Sequence, residues 1–450
     1  MSRRIAIVGG GIAGVTAAWQ IARGDSAAEV TLFEASVRLG GTVETVWRDG
    51  FVVECGPDGW VSEKPWAREL CVELGLGDEL IYSNDATRVT YILREGRLVA
   101  MPDGMRMMVP TDLSVLEGSE LFSEAAKQAY AAEPRRAAEL RAGAPEADES
   151  VAEFVERHFG REVLRTLAAP LLSGVFGGDV RRLSVRAVMP QFVQMERLHG
   201  SLITALQARR GVASQPIFTT LRCGLETLIE RMVTGIPAKW IRLGCRVRSV
   251  EKSAGGWVVD GEEFDDVVMA VPAHVARPLL AHVDARFGEL LAMEESSAVI
   301  AAFGFRESFA LPRGFGFLVP QGETNSLLAG TFADQKFAGK GPEGMRLVRA
   351  FFGGTSEPAD DLRRDEELAA EALADVVKIV GPLPEPSFAI VRRWPRSLPQ
   401  YGVGHLERMS EVFEIAATLP GLHLLGNAYR GVGLPDLVRD ARAVGMGLGA

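Results

Sequence analysis

Residues 5–14 have the sequence I-A-I-V-G-G-G-I-A-G, an apolar run that leads directly into closely spaced glycines. Gly9, Gly11 and Gly14 have the spacing G-x-G-x-x-G, in which the first glycine permits a tight turn and the second lets the backbone approach a pyrophosphate. The third lets the next helix pack closely, with its N-terminal N–H groups facing the phosphates. The motif therefore predicts a strand, a turn and a helix that bind a dinucleotide.

The sequence that follows the motif supports this prediction. Residues 29–33, E-V-T-L-F, predict a second strand, and Glu34 follows it twenty residues after Gly14. A carboxylate at this position of a βαβ unit accepts hydrogen bonds from the ribose of an adenosine. The alternative is an ordinary βαβ unit with a surface acid, but the agreement of four elements favours the nucleotide site. Between the motif and the second strand, apolar residues recur with helical spacing at Ile12, Val15, Ala18 and Ile21.

The segment that begins at Glu34 distinguishes FAD from NAD. Residues 34–41, E-A-S-V-R-L-G-G, resemble the E-x-x-x-R-x-G-G extension of FAD oxidoreductases related to the amine oxidases. The adjacent Gly40 and Gly41 let backbone amides reach the phosphates, and Arg38 can offset their charge. NAD dehydrogenases do not usually carry this doublet, so the predicted cofactor is FAD. The alternative is a flexible turn with a solvated arginine.

The composition sets limits on the class of protein. The 450 residues are enough for two or three domains with a large core. A hydrophobic share of 47% and a charged share of 24% are ordinary for a soluble globular protein. The formal net charge of -10 argues against nucleic acid as a partner and against a generally basic surface facing a membrane.

The cysteines and histidines lack the spacing of metal sites. Cys55, Cys71, Cys223 and Cys245 form no C-x-x-C, so neither a zinc site nor a disulfide framework is predicted, and a reducing cytoplasm fits. No apolar run approaches the roughly 18 residues of a membrane span. Because glycines interrupt the N-terminal strand, no signal peptide is predicted either. Membrane association is expected to be at most peripheral, on the inner face of the cell membrane.

The order of these patterns along the chain predicts interleaved domains. The predicted fold class is α/β plus α+β, with a Rossmann-like FAD-binding domain interleaved with a mixed-sheet substrate domain and a helical insertion. The FAD-binding domain is assigned residues 1–84, 216–275 and 420–450. Residues 85–215 form the helical insertion, and residues 276–419 form the substrate-binding domain.

Two features are predicted inside the helical insertion. Ser150 and Glu153 form the capping box S-x-x-E, which predicts the start of a helix. The apolar face of that helix carries Phe154 and Phe159. Residues 131–149, rich in Ala, Glu, Arg and Pro, are expected to be a mobile surface segment.

A glycine-rich motif lies near the C-terminus. Residues 426–436, G-N-A-Y-R-G-V-G-L-P-D, predict a strand end, a loop and a helix start. The glycines allow the main chain to approach a ring or a ribityl chain, and the partial positive charge of the helix N-terminus suits the anion of a reduced flavin. The alternative is a plain glycine-rich turn that caps a helix.

Five motifs together resemble the oxygen-dependent porphyrinogen oxidases of haem synthesis, within the flavin amine oxidase superfamily. Together with the glycine motif of residues 9–14, they run from the first predicted strand to the last helix, so the resemblance covers essentially the whole chain. In chain order they are E-C-G-P-D from Glu54, S-G-V-F-G-G-D from Ser173, G-F-G-F-L-V-P from Gly314, R-W-P with P-Q-Y-x-x-G-H from Arg393 to His405, and G-N-A-Y-R-G-V-G-L from Gly426.

This resemblance implies the six-electron oxidation of a porphyrinogen to a porphyrin. It also implies that the helical insertion, residues 85–215, is the part that can lie on a membrane. Oxygen is the implied final acceptor, hydrogen peroxide the implied by-product, and a ferrochelatase-type enzyme the implied downstream partner. Such a reaction needs a flat apolar cavity, orientation and exclusion of water more than a strong base. Accordingly, no catalytic acid or base and no metal ligand is predicted, because the sequence has no Ser/His/Asp arrangement and no paired-carboxylate motif.

The candidate site residues come from the motifs and from the resemblance. The resemblance places Gly174 against the macrocycle. Phe332 and Phe351 are candidates for the cavity wall, with plain core packing as the alternative. Arg88 is a candidate for a substrate propionate, as are the arginine pairs 181–182, 209–210 and 392–393. The cofactor-binding candidates are Gly9, Gly11, Gly14, Glu34, Arg38, Gly40, Gly41, Val247, Trp394, Gly426, Asn427 and Val432.

The family has two substrate classes, protoporphyrinogen IX and coproporphyrinogen III. Residues 84–87, 91–93 and 101–104 resemble the coproporphyrinogen class of Gram-positive bacteria. At about Thr90 the eukaryotic protoporphyrinogen enzymes carry an arginine that faces a propionate, whereas this chain has Arg88 two residues away. These features favour coproporphyrinogen III.

Two other functions remain open on the sequence. One is another flavin oxidase of the same fold, an amine oxidase or a carotenoid desaturase. Amine oxidases usually end in a small-residue segment with G-A and S-G, which Gly431–Leu434 does not match. The other is a non-enzymatic flavin-binding interaction protein, against which the intact nucleotide-binding and ring-binding segments argue.

Overall fold

The computed structural model of the protein describes residues 2–24, 27–208, 216–323, 326–354 and 363–449. Within these ranges the strands are, in chain order, β1 (Arg4–Val8), β2 (Glu29–Phe33), β3 (Thr45–Arg48), β4 (Phe51–Glu54), β5 (Trp60–Val61), β6 (Leu80–Tyr82), β7 (Thr90–Arg94), β8 (Arg97–Ala100), β9 (Met105–Arg106), β10 (Val109–Pro110), β11 (Phe218–Leu221), β12 (Ile241–Arg242), β13 (Val250–Ser253), β14 (Gly256–Val259), β15 (Glu262–Phe264), β16 (Asp266–Met269), β17 (Glu295–Phe305), β18 (Gly316–Leu318), β19 (Ala329–Phe332), β20 (Arg346–Gly354), β21 (Phe388–Pro399) and β22 (Leu422–Leu424).

The α-helices of the same ranges are α1 (Ile12–Ala22), α2 (Trp66–Glu73), α3 (Glu124–Ala132), α4 (Ala137–Ala142), α5 (Val151–Phe159), α6 (Arg161–Val163), α7 (Ala169–Phe176), α8 (Val185–Val188), α9 (Pro190–His199), α10 (Leu202–Gln207), α11 (Glu226–Thr234), α12 (Ala273–Ala281), α13 (Arg286–Leu290), α14 (Ala333–Lys336), α15 (Asp365–Val380), α16 (His405–Ala417) and α17 (Leu434–Gly449). Short 3-10 turns lie at Gly77–Glu79, Asp85–Thr87, Leu113–Leu116, Glu133–Arg136 and Ala238–Trp240, and a π-helical turn spans Leu164–Ala168.

The chain divides into two compact units, each assembled from separate stretches of sequence. The first unit comprises Met1–Ser83, Pro216–Glu294 and Glu407–Ala450. The second comprises Asn84–Gln215 and Glu295–Leu406. The chain therefore leaves the first unit and returns to it twice, which is an interleaved organisation.

The first unit is built on a parallel sheet with the strand order β12-β2-β1-β16-β22. Its central strand is buried on both faces, which is the usual state of a parallel strand covered by helices. Ile5 and Ile7 of that strand pack into one core, which also takes side chains of α1, α11 and α17. Ala6 and Val8 pack into a second core, with α12, α13 and α16. This is a Rossmann-like layered arrangement, and the predicted order of β1, α1 and β2 is confirmed.

The second unit contains a seven-stranded mixed sheet with the order β21-β17-β20-β19-β18-β7-β8. Neighbouring strands are antiparallel except β18 and β7, which run parallel. One face of this sheet forms a core with α15, where Phe303 and Phe352 pack with Leu368. The class predicted for the fold, α/β plus a mixed-sheet α+β part, is confirmed.

The helical part of the second unit differs from the sequence expectation in two places. Residues 90–110 contain β7 to β10 rather than helices, and β7 and β8 complete the seven-stranded sheet. The segment 131–149, expected to be a mobile surface, contains the end of α3, a 3-10 turn and α4. Its Glu133 and Leu140 are almost completely buried, so this segment is part of the packed layer.

The capping box predicted at the start of α5 is present. The Ser150 hydroxyl accepts a hydrogen bond from the Glu153 backbone N–H, and the Glu153 carboxylate accepts one from the Ser150 N–H. Phe154 and Phe159 are buried, as the helical spacing predicts. Within the described ranges, no helix is long and apolar enough to cross a membrane.

Candidate active site

The glycine motif of the first unit is held by close backbone packing. Gly9 has a φ of +108°, and a Cβ at this position would lie 2.4 Å from the carbonyl oxygen of Ala270. A Cβ at Gly14 would lie 1.9 Å from the Gly9 carbonyl oxygen. Both positions therefore need glycine, because Gly9 lies against the backbone that follows β16 and Gly14 lies against Gly9.

Gly11 differs from these two glycines, because a Cβ there would meet no protein atom within 4 Å. Gly11 is also the N-cap residue of α1, and no side chain caps the first backbone N–H groups of this helix. Uncapped N–H groups and the partial positive charge of the helix end attract a phosphate. The open space and the uncapped helix end fit the pyrophosphate of FAD.

Glu34 follows β2 directly, and its side chain contacts the glycine motif. One carboxylate oxygen accepts a hydrogen bond from the Gly10 N–H at 2.7 Å, and the other accepts one from the Ser36 N–H at 2.7 Å. Each carboxylate oxygen has a further lone pair. Glu34 is therefore oriented by the backbone and keeps acceptor capacity for ribose hydroxyls.

The predicted glycine doublet lies directly against the first motif. The Gly40 N–H donates to the Gly10 carbonyl oxygen at 2.8 Å, and a Cβ at Gly41 would lie 3.2 Å from the Gly11 Cα. Gly40 and Gly41 have φ angles of +110° and +61°, which favour glycine. The two glycine segments thus form one continuous backbone cradle.

The Arg38 side chain contacts the backbone of its own loop. Its guanidinium turns into its own loop and donates to the carbonyl oxygens of Leu39 at 3.0 Å and Val43 at 3.1 Å, and also to that of Gly41. It lies 3.8 Å from a carboxylate oxygen of Glu226. Arg38 therefore braces the loop that presents the glycine doublet.

A buried hydrogen-bond network supports the same loop from behind. The Glu226 carboxylate accepts from the Thr45 N–H at 2.8 Å, and the Thr45 hydroxyl donates to Glu54 at 2.7 Å. Glu54 also accepts from the Leu225 N–H at 3.1 Å. Glu54, the first residue of the E-C-G-P-D motif, is thus a structural acceptor that joins α11 to the hairpin of β3 and β4.

The C-terminal loop leaves the same edge of the parallel sheet. The Leu425 N–H donates to the Met269 carbonyl oxygen at 2.9 Å at the end of β22, and Gly426 follows with a φ of +135°. Because the carboxyl ends of parallel strands meet at one edge, this loop lies on the side of the sheet where Gly9 and Glu34 lie. The half-buried Asn427 and Val432 belong to it.

The start of α17 is anchored by a buried acid. Asp436 accepts a hydrogen bond from the Lys64 ammonium at 2.5 Å and is almost completely buried. A Cβ at Gly431 would lie 2.7 Å from the Asp436 Cγ, so only glycine fits there. The first unit thus brings together most predicted cofactor-binding residues, whereas Val247 packs in the core that contains Ala6 and Val8.

The second unit presents a sheet face that is separate from its α15 core. We define this candidate substrate face by residues that share it through strand register: Ile92, Leu318, Ala329, Phe351, Ile300 and Arg392. Trp394 shares the face two residues along β21, where it is half-buried. Phe351 is half-buried as well, and it remains a candidate for a cavity wall.

Phe332 is not on the candidate substrate face. It pairs with Val348, is fully buried and packs in the α15 core with Phe317. The structure therefore corrects the prediction that Phe332 lines a cavity. The physical reason is the alternation of side chains along a strand, which sends Val348 and Phe351 to opposite faces.

Gly174 lies beside the candidate substrate face. It is exposed in the last turn of α7, and a Cβ there would lie 3.3 Å from the Leu318 Cδ2. Arg88 precedes β7 and forms an ion pair at 3.2 Å with Asp103, whose side chain is 90% exposed. Such a surface pair contributes little free energy, so Arg88 can exchange its partner for another carboxylate.

Arg392 and Arg349 share the face of Phe351, whereas Arg393 does not. Arg393 turns to the α15 side and binds Asp365, whereas Arg392 shares the face of Phe351. Arg349 was missed by sequence reasoning, although a charged residue inside an apolar strand was a visible sign. It is almost completely buried, and its guanidinium carbon lies 5.0 Å from the centre of the Phe351 ring.

Of the other arginine pairs, residues 209–210 lie outside the described residues, and Arg181 and Arg182 are exposed.

The described residues contain no group of three or more His, Cys, Asp or Glu side chains that could hold a metal ion. The site residues of both units are glycines, apolar side chains and arginines, with Glu34 as the acid of the nucleotide-binding region. These residues can bind and orient a ligand and can exclude water from it.

Comparison with known proteins identifies the family. Residues 12–444 match the model of the flavin containing amine oxidoreductases. The chain is 32% identical to the coproporphyrinogen III oxidase of Bacillus subtilis (strain 168), over 98% of this chain and 97% of that protein. It is 29% identical to human protoporphyrinogen oxidase, over 98% and 97% of the two chains.

Solved structures agree with this relationship. A crystal structure from Exiguobacterium sp. 255-15, of a protein provisionally assigned as a protoporphyrinogen oxidase, matches with a TM-score of 0.88 and 34% identity over 100% of this chain and 99% of that one. Cyclohexylamine oxidase from Brevibacterium oxydans shares the fold, with a TM-score of 0.73 and 15% identity over 100% and 99%. The chain therefore belongs to the flavin-containing amine oxidoreductases and, within them, to the group of the porphyrinogen oxidases.

Proposed function

We propose that the protein catalyses the FAD-dependent oxidation of a porphyrinogen to the porphyrin, with coproporphyrinogen III as the favoured substrate. The observation that carries the proposal is the match along nearly the whole chain to enzymes named coproporphyrinogen III oxidase, at 28–32% identity. In this proposal molecular oxygen is the final acceptor and hydrogen peroxide is released. A metal-inserting enzyme of the ferrochelatase type then takes the product.

The residues of the first unit would hold the cofactor. The cradle of Gly9–Gly14 and Gly40–Gly41 fits a pyrophosphate, and Glu34 fits the adenosine ribose. The loop 426–433, ahead of the N-terminus of α17, fits the flavin ring region. When bound, the flavin accepts two electrons at a time, so about three oxidation cycles are needed for the six electrons of the overall reaction.

The second unit would supply the wall for a flat apolar macrocycle. Leu318, Phe351 and Ile300 share one face of the sheet, and Gly174 lies beside Leu318 without a side chain of its own. An apolar wall orients a tetrapyrrole and excludes water, which this oxidation needs more than a general base. Accordingly, no residue of the chain is proposed as a catalytic acid or base.

Substrate choice depends on the carboxylates of the tetrapyrrole. Coproporphyrinogen III has more propionates than protoporphyrinogen IX, and burying an unpaired carboxylate is costly. Arg88 at the edge of the sheet and Arg392 on the candidate substrate face are the cations proposed to meet propionates. Thr90 lies on that face too, because its partner Gly316 is two residues before Leu318 on β18. This position of β7 therefore presents a threonine instead of an arginine.

The FAD is proposed to be non-covalent. The free cysteines are Cys55, Cys71, Cys223 and Cys245, and none of them belongs to the C-terminal segment that follows Gly426. Burial, with a smaller contribution from Cys223, raises the pKa of the Cys71 thiol to about 12, so this thiol is unreactive at neutral pH. Acid precipitation should therefore release the yellow colour from the protein, and a flavin that stays on the precipitate would contradict the proposal.

A fluorescence assay separates the proposed function from its alternatives. Flavin-loaded protein is mixed in air with coproporphyrinogen III, and porphyrin emission, oxygen consumption and peroxide are followed together. The proposal predicts porphyrin formation well above autoxidation, with oxygen consumed. An amine oxidase or a carotenoid desaturase would leave the porphyrinogen unchanged but oxidise its own substrate, and a non-enzymatic flavin-binding protein would oxidise none of these.

A further inference from the structure

The C-terminal end of α7 is held by the side chain of a buried glutamine. The Gln400 Nε2 donates to the carbonyl oxygen of Phe176, the last residue of the helix, at 2.6 Å. The Ser296 hydroxyl donates to the same carbonyl oxygen at 3.1 Å. Carbonyl groups in the last turn of a helix have no partner within the helix, so these two donors satisfy one of them.

The orientation of the glutamine amide follows from its surroundings. Besides the Phe176 oxygen, Nε2 lies 3.0 Å from the carbonyl oxygen of Leu398 and 3.1 Å from the Ser296 Oγ. Two carbonyl oxygens on this side require the amide nitrogen rather than its oxygen. Gln400 is 7% exposed, so these contacts are shielded from water.

The two glycines that follow α7 leave room for this glutamine and for Ser296, because they have no side chains. A Cβ at Gly178 would lie 1.7 Å from the Gln400 Oε1, and a Cβ at Gly177 would lie 2.6 Å from the Ser296 Oγ. Gly177 also has a φ of +61° and ends the helix. The glycines of the motif S-G-V-F-G-G-D and the glutamine of P-Q-Y-x-x-G-H therefore form one built arrangement, although they lie far apart in sequence.

The segment that carries Gln400 is itself fixed to the helical layer. The Ser184 N–H donates to the Tyr401 carbonyl oxygen at 2.7 Å, and the Val403 N–H donates to the Arg182 carbonyl oxygen at 3.0 Å. These bonds hold the residues that follow the glutamine, and the pairing of Leu398 and Pro399 with β17 holds those that precede it. A change in its side chain would therefore release the end of α7 rather than move Gln400 itself.

We infer that Gln400 is a positioning residue that sets the last turn of α7, and with it Gly174, against the candidate substrate face. Gly174 lies two residues before Phe176, at a place where an added Cβ would lie 3.3 Å from the Leu318 Cδ2. If the last turn loosens, the backbone at Gly174 no longer has one position relative to that wall. This inference rests on the proposed porphyrinogen oxidation, because it assigns α7 to the binding of the macrocycle.

The test compares Gln400→Met, which keeps length but cannot donate, with Ser296→Ala, which removes the second donor only. Gln194→Met is the matched control, because Gln194 is an exposed residue of α9 in the same unit. Each flavin-loaded protein is assayed with coproporphyrinogen III for KM and kcat, and its binding of coproporphyrin III is measured by fluorescence. Hydrogen–deuterium exchange of peptides from residues 169–178 reports the helix end independently of activity.

The inference predicts that Gln400→Met raises the KM and the Kd for coproporphyrin III about fivefold or more, the effect of losing a buried hydrogen bond. Exchange in residues 169–178 should rise while flavin content stays that of the parent protein. Ser296→Ala should change the same quantities less, and Gln194→Met should change none. If Gln400→Met does not fold, Ser296→Ala alone carries the test.

Two outcomes are separable by their pattern. Unchanged KM, Kd and exchange in a folded Gln400→Met protein, or in Ser296→Ala if only that variant folds, would overturn the inference while leaving porphyrinogen oxidation intact. A parent protein that oxidises no porphyrinogen but whose Gln400→Met variant still shows faster exchange would overturn the proposed function. In that case the glutamine would still hold the helix, but its assignment to macrocycle binding would be withdrawn.

Discussion

Gly41 lies against Gly11, at a separation where a Cβ on Gly41 would come within 3.2 Å of the Gly11 Cα. The contact joins the first glycine motif to the glycine doublet, and the Gly40 N–H reinforces it by donating to the Gly10 carbonyl oxygen at 2.8 Å. Each segment alone is a common type of turn. Their contact makes them a single backbone surface suited to a pyrophosphate.

Substitutions in this surface should separate folding from cofactor binding. Gly11→Ala adds a methyl group that meets no protein atom within 4 Å, and the φ of -69° at Gly11 suits alanine, so the apoprotein should keep its stability. FAD affinity should fall because the methyl group occupies the space proposed for phosphate. Gly14→Ala instead forces a Cβ to 1.9 Å from the Gly9 carbonyl oxygen.

Gly14→Ala should therefore destabilise the apoprotein by about 3 kcal/mol or more, as expected for a forced clash in a core. Thermal unfolding of both apoproteins and FAD titration measure the two effects. A Gly11→Ala protein that binds FAD like the parent would contradict the placement of phosphate at the start of α1.

Glu34→Ala should weaken FAD binding by about 1–3 kcal/mol, the effect of losing a hydrogen-bonding partner with charge. The carboxylate is already oriented by the N–H groups of Gly10 and Ser36, so it needs no rearrangement to accept from ribose. Glu29→Ala is the control, because Glu29 is exposed at the other end of the same strand. Equal FAD dissociation constants for the two variants would remove Glu34 from the ribose site.

Arg38 should affect FAD through the shape of its loop. Arg38→Ala removes donors to the carbonyl oxygens of Leu39, Gly41 and Val43, and we expect FAD affinity to fall about tenfold, or roughly 1.4 kcal/mol. Arg38→Lys should not restore it, because an ammonium lacks the planar fork that serves several carbonyls at once. The exposed Arg246 provides an Arg246→Ala control. Full affinity in Arg38→Lys would argue for a simple charge effect.

A buried histidine should make the stability of the second unit depend on pH. His158 Nδ1 lies 3.0 Å from a carboxylate oxygen of Glu133, and Nε2 lies 3.0 Å from one of Glu196. Burial lowers the pKa of His158, but the hydrogen bonds to both carboxylates outweigh it and raise the pKa above its ordinary value of 6.5. The stability from this interaction is full below the unfolded pKa and is lost as the pH rises through the folded pKa.

Glu196 sets the lower end of the pH range in which this interaction stabilises the fold. Burial raises its pKa, but hydrogen bonds from His158 and Arg157 outweigh burial and hold the pKa below its ordinary value of 4.5. That contribution is present above the unfolded pKa and is lost as the pH falls through the folded pKa. Parent protein and His158→Gln, compared by urea unfolding across pH, should differ most between these limits and less at alkaline pH. The exposed His199 provides the control His199→Gln, and a difference that does not shrink at alkaline pH would contradict a charged His158.

Local sequence was sufficient where the structure depends on neighbours in the chain. The glycine motif predicted the order of β1, α1 and β2, and the S-x-x-E spacing predicted the capping box of α5. Both features are made by residues a few positions apart. Backbone conformation and helix capping can therefore be predicted from the local sequence.

Features that depend on distant partners could not be predicted in this way. Thr90 is in a strand because it pairs with Gly316, and Phe332 is core rather than wall because its register with Val348 sends it to the α15 side. Glu133 lies in a polar segment but is buried, because His158 and Ser201 supply its hydrogen bonds from other helices. Register and buried polar partners are set by tertiary packing.

The rate of porphyrin formation from coproporphyrinogen III by the flavin-loaded protein in air tests the central claim most directly, with protoporphyrinogen IX assayed under the same conditions. The account predicts oxidation of both, with kcat/KM for coproporphyrinogen III modestly higher. A tenfold preference for protoporphyrinogen IX, about 1.4 kcal/mol, would reverse the substrate assignment alone. Porphyrin formation no faster than autoxidation for either substrate would contradict the proposed function.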